Sequence, residues 1–155
     1  MACCGRPVVI TAALLALSAC GPEPVAQKAP PKDETKEPWY AQAVERLSKQ
    51  NQEANTLLNR GKEDDAAALV QSGEKIATRL LKVPNPTLAA MEAAADVDEI
   101  YGKMLLANKN YGWARLFFQK NLARWKVWIP ETPNTIARKN AAAAEIADVD
   151  RRMTE

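Results

Sequence analysis

Four charged residues, Glu92, Asp96, Glu99 and Lys103, recur at i, i+4, i+7 and i+11. A helix through them places three carboxylates on one face. Carboxylates so placed could supply the acid and base of glycoside cleavage, or oxygens for a hard cation such as calcium. The competing assignment is a solvated helix face, helped by the favourable order of Glu99 before Lys103. Calcium loops gather oxygens at close loop positions, and no such spacing occurs, so no metal is expected.

Other reactive groups are scarce. The 155 residues contain no histidine and three cysteines, Cys3, Cys4 and Cys20. Without imidazole there is no ordinary base for a serine or cysteine nucleophile. The composition also excludes c-type haem attachment and histidine-containing zinc and di-iron sites. Neither a Gly-x-Ser-x-Gly elbow nor a glycine-rich phosphate loop is present. No catalytic residue and no cofactor is therefore assigned. The net charge of +2 is near neutral, and no basic patch points to nucleic acid.

Aromatics are concentrated late in the chain. Six of the nine, Tyr111, Trp113, Phe117, Phe118, Trp125 and Trp128, fall in one predicted helix. Phe118, Leu122, Trp125 and Ile129 follow one face, while Trp113, Phe117 and Trp128 lean toward the other. Such a helix is either central in the core or shows aromatic surface to a partner. On the second reading Trp113, Trp125, Trp128 and Arg124 are the candidate partner-binding residues, since tryptophan and arginine are enriched where interfaces bind most strongly. Arg115, Lys120, Arg124 and Lys126 lie on the same helix. They either snorkel around a buried segment or face the acidic helix before it.

The elements that must position these groups are helices. Tyr40, Val44, Leu47, Asn51, Ala54 and Leu58 make one stripe from Pro38 to Gly61. Lys62 to Asp65 opens a second helix with three carboxylates at its positive end, and Ala66, Leu69, Gly73, Ile76 and Leu80 give it an apolar face. Asn85 is the expected cap of a third helix, with Pro86 at its first position, running to about Ala107. The fourth spans about Tyr111 to Trp128. Thr132 or Asn134 caps a fifth carrying Ile136, Ala143, Ile146, Val149 and Met153. No period-2 run is long enough for a strand. The expected fold is all-α, with five antiparallel helices over residues 38–155.

The N-terminus gives an address. Arg6 precedes an apolar run from Val8 to Leu17, and Leu17-Ser18-Ala19-Cys20 closes it. Basic start, short apolar stretch and small residues match a signal peptide, and the run is too short to span a bilayer. The closing tetrad resembles the lipobox of bacterial lipoproteins. That resemblance implies cleavage between Ala19 and Cys20 and a lipid on Cys20, which would anchor the chain to a membrane. Gly21, in place of aspartate, is similar to an outer-membrane sorting signal. Removing residues 1–19 leaves 155 − 19 = 136 residues and no free thiol. Residues 20–37 are rich in proline and charge and read as a disordered tether.

The sequence also echoes itself. Leu57-Leu58, a turn, then Ala66 and Leu69 are matched 48 positions later by Leu105-Leu106, a turn, then Ala114 and Phe117. Two helical hairpins and a closing helix resemble a tetratricopeptide-like solenoid, with Gly61 as turn glycine, Ala66 as packing alanine and Pro84 as closing proline. The repeat is 48 rather than 34 residues long, and Lys109 stands at the second turn-glycine position. A compact five-helix bundle is the alternative.

These readings lead to a non-enzymatic, lipid-anchored helical module of the bacterial envelope, expected to face the periplasm from the outer membrane and to bind an envelope protein. A small glycan-acting hydrolase using the third-helix carboxylates, and a purely structural spacer, are the alternatives.

Overall fold

A computed structural model describes residues 32–155; the signal segment, Ala19, Cys20 and the tether up to residue 31 lie outside the described residues. Residues Lys32–Glu155 form one compact unit. Among the described residues the fold is all-α, with five helices: α1 (Pro38–Asn59), α2 (Glu63–Leu80), α3 (Leu88–Ala107), α4 (Tyr111–Lys126) and α5 (Pro133–Arg152). No helix among them is long and apolar enough to cross a membrane.

The end of the expected tether is ordered. Asp33 caps a single 3-10 turn, Glu34–Lys36, and Lys32 pairs with Glu37 at 2.7 Å, so the chain is already folded against α1 before Pro38.

Four of the five helices start for a local reason. Pro38 and Pro133 occupy first positions, where a missing N–H costs nothing. Glu63, Asp64 and Asp65 sit at the positive end of α2. Thr132 and Thr135 close a reciprocal capping box on α5. The cap of α3 is Thr87, whose side chain accepts from the Ala90 N–H, and not Asn85. Asn85 instead takes a left-handed turn at φ 55°, which asparagine tolerates better than most residues. Pro86 thus lies outside the helix, where it disfavours helical geometry one residue earlier.

The two hairpins end their first helices in the same way. Gly61 adopts φ 71° and Lys109 adopts φ 58°. In the first turn Gly61 N–H donates to Leu58 O and Lys62 N–H to Leu57 O. In the second, Lys109 N–H donates to Leu106 O and Asn110 N–H to Leu105 O. This is one Schellman-type stop used twice, 109 − 61 = 48 residues apart. The correspondence continues into the next helices. Ala66, Val70, Gly73 and Ala77 of α2 are buried, as are Ala114, Phe118, Asn121 and Trp125 of α4 at the same offset.

The odd-numbered helices share a register. Asn51 Nδ2 donates to Ala93 O, Asn134 Nδ2 to Glu92 Oε1 and Arg138 Nη1 to Asp96 Oδ1, each pair 42 residues apart. The repeated separation between α3 and α5 means that these two run parallel, and Tyr40 by Thr87 with Asn51 by Ala93 sets α1 in the same direction. Helices α2 and α4 run against them, because three-residue connections allow nothing else. Helix α1 packs on α2 and α3, α3 on α4, and α4 on α5. The main core joins Tyr40, Leu47, Val70, Leu80, Val97 and Ile100, while a second, around Ala114, Phe118 and Val149, binds α4 to α5.

Helix α5 departs from its expected stripe. It buries Thr135, Ala142 and Val149, leaving Ile136, Ala143 and Met153 exposed. The stripe is displaced because, among the described residues, α5 packs chiefly on α4 and meets α3 through charged side chains along most of its length.

Candidate functional site: a charged groove between α2 and α4

Helices α2 and α4 flank α3 and leave a groove of about 240 Å³ between them. Its floor is Val97 and Asp98 of α3; Glu74 and Thr78 of α2, Lys82 beyond it, and Lys120 and Arg124 of α4 form the walls.

Asp98 is the hub. Its side chain is 3% exposed, and burying a carboxylate demands compensation. Lys120 Nζ donates to Oδ1 at 2.7 Å, and Arg124 Nη2 lies 2.6 Å from Oδ2. The Arg124 contact is an ion pair without hydrogen-bond alignment. Lys120 is half in solvent, whereas the Arg124 side chain is only 8% exposed. Arg124 Nη1 is buried with no hydrogen-bond partner among the described residues. With Lys82, three cations line the groove against two carboxylates, Asp98 and Glu74. The arrangement holds a carboxylate already and has an arginine donor to spare, and guanidinium forks recognise a second carboxylate or a phosphate in the same planar manner.

The α3 carboxylates named from spacing face the other way, toward α5, and are not a freely solvated row. Arg138 Nη1 binds Asp96 Oδ1 at 2.7 Å, and Arg138 Nε lies 3.7 Å from Glu92, which also accepts from Asn134. Lys103 joins Glu99 at 2.5 Å and Glu145 at 3.7 Å. Burial opposes the charge on Lys103, but its hydrogen bond to Glu99 and the charges of Glu99 and Glu145 outweigh this and hold its pKa above the ordinary value. These residues act as clamps between α3 and α5. No group of three or more candidate metal ligands occurs among the described residues.

The aromatic candidates separate. Trp125 is 1% exposed and packs on Met91 and Ala95, so it belongs to the core and is not an exposed anchor. Its ring lies 5.6 Å from the Arg138 guanidinium. Trp128 is half-buried against the same cluster. Trp113 is 58% exposed, with Leu116 one turn on also exposed. Phe118 and Phe117 are taken up by packing, Phe117 edge-on to Tyr101 at 4.5 Å. Of the four named residues, Arg124 alone lines the groove.

Asp98 was not singled out from the sequence. The available signal was a lone carboxylate among Ala94, Val97, Tyr101 and Gly102 on an otherwise apolar face, since a buried carboxylate requires a cation from a neighbouring element. No family model, curated protein or solved structure matches this chain.

Proposed function

We propose that the chain is a non-enzymatic, lipid-anchored helical module of the bacterial envelope that takes a carboxylate-bearing segment of a partner protein into the α2–α4 groove. The carrying observation is a groove lined by Lys82, Lys120 and Arg124, with Arg124 Nη1 buried and without a hydrogen-bond partner among the described residues. An arginine donor left dry and unpaired costs free energy that a bound carboxylate would recover. The lipobox-like tetrad ending at Cys20 supports attachment to a membrane, with the periplasmic face of the outer membrane as the proposed location. The α3 carboxylates give little support to hydrolysis, because Arg138, Asn134 and Lys103 already engage them.

A photo-crosslinking residue at Thr78, on the groove wall, tests this in intact cells, with the same residue at Gln52 on an exposed face of α1 as control. The expected product is a defined envelope protein crosslinked from position 78 through an acidic or C-terminal segment, absent from position 52, and lost with Arg124→Gln. Crosslinking from position 78 that Arg124→Gln leaves unchanged refutes the assignment.

A further inference from the structure

A second groove lies between α1 and α2, where Trp39 and Ile76 pack partly against the edge of the main core. It encloses about 380 Å³, and its walls are Trp39, Gln42 and Arg46 of α1 with Lys75, Ile76 and Arg79 of α2. Among the described residues no carboxylate lines it. Arg46, Lys75 and Arg79 form no salt bridge among the described residues, and neither do the other charged side chains of α2. The Arg79 guanidinium stacks over the Trp39 ring at 4.1 Å from its centroid, which fixes both groups in one wall. Trp39 is half-buried, its ring edge-on to Tyr40 at 5.5 Å.

Three unpaired cations sharing one concave site with a tryptophan are complementary to an anion on an amphipathic surface. Tryptophan favours the headgroup level of a bilayer, where an apolar body and a polar N–H are both satisfied. Each cation near an anionic lipid surface adds to the attraction. The site also lies where the chain enters the domain, since Trp39 is the second residue of α1. We propose that this groove seats the phosphate of an anionic phospholipid headgroup, with Arg46, Lys75 and Arg79 sharing its charge and Trp39 at headgroup depth. This assignment does not depend on a lipid at Cys20 or on the α2–α4 groove.

The test uses the Lys32–Glu155 unit, which is compact by its own contacts, sedimented with phosphatidylcholine vesicles lacking or containing phosphatidylglycerol. The unit is expected to bind only the anionic vesicles, and each of Arg46→Gln, Lys75→Gln and Arg79→Gln should weaken binding about fivefold. Arg151→Gln with Arg152→Gln, which lowers net charge at the far end of α5, should have a smaller effect than any two groove substitutions. Equal effects of the two sets reduce the result to overall charge and overturn the site. Equal binding to both vesicle types overturns it as well. Saturable binding of inorganic phosphate, with vesicles left unbound, assigns the groove to a soluble anion and overturns the membrane assignment. Circular dichroism of every variant separates these outcomes from misfolding.

Discussion

Replacing Gly102 with alanine should destabilise the domain, although the same exchange in an open helix is stabilising. A Cβ at Gly102 would stand 2.6, 2.8 and 3.0 Å from three carbons of the Phe118 ring. Non-bonded carbons rest at about 3.5–4.0 Å, so the ring must withdraw by about 1 Å. It has nowhere to go, because Phe118 is fully buried with Ala114 and Val149 where α3, α4 and α5 meet. Overpacking of this kind costs about 1–3 kcal/mol. Removing a helical glycine returns about 0.5–1 kcal/mol. From the middle of both ranges the net loss is about 1 kcal/mol, which lowers the melting midpoint by roughly 4 °C for a domain of this size. Thermal and urea unfolding followed by circular dichroism would measure it. Gly112→Ala provides the opposite sign: a Cβ there meets nothing within 4 Å, so a gain of a few tenths of a kcal/mol is expected. Phe118→Leu combined with Gly102→Ala should cost less than the two single changes summed, because the smaller side chain relieves the clash. A Gly102→Ala protein as stable as its parent, or more so, would refute the argument that close approach of α3 and α4 at this point requires glycine.

Two further outcomes follow from local geometry. Lys109→Gly should stabilise the domain by about 1 kcal/mol, because Lys109 holds φ 58° at a position where Gly61 does the same work without Cβ crowding; unchanged or reduced urea stability would show that the turn is not strained. Asp150 accepts from Arg115 at 2.6 Å, and that hydrogen bond, reinforced by the guanidinium charge, holds its carboxyl below the ordinary 3.8. The pair therefore contributes stability above pH 3.8 and loses it as pH falls through the depressed value, with no contribution once Asp150 is protonated in both states. Carboxyl-carbon NMR should show Asp150 titrating below 3.8 and shifting upward in Arg115→Gln; an unshifted titration would remove the pair from the acid stability of the fold.

Much of the helical architecture is local and was therefore legible. Pro38, Gly61, the acidic triplet Glu63–Asp65, Thr132 and Pro133 act through backbone groups within a turn of themselves, so helix limits follow from them directly. The stripe of α1 was equally readable, with Tyr40, Leu47, Asn51 and Ala54 buried as its spacing requires. The 48-residue echo survives as two matching turns, and the left-handed backbone at Lys109 shows that the motif is kept where its usual glycine is absent. Choosing the cap of α3 was harder, because Asn85 and Thr87 both have capping chemistry and only the path of the chain around Pro86 decides between them.

The grooves and the fate of the charged residues were settled between elements. Spacing placed Glu92, Asp96 and Glu99 on one face but could not say that Arg138, Asn134 and Glu145 of α5 would meet that face 42 residues later. Aromatic content marked α4 as unusual, yet which tryptophan is buried depends on the side α3 and α5 approach, and that put Trp125 inside and left Trp113 outside. Sequence alone determined the helices, their order and their turns, because hydrogen bonding, capping and backbone dihedrals act over a few residues. Tertiary structure alone decided that Asp98 would be buried beneath Arg124, and that Arg46, Lys75 and Arg79 would share a wall with Trp39, because the energy of a charge is set by neighbours that the chain brings together only on folding.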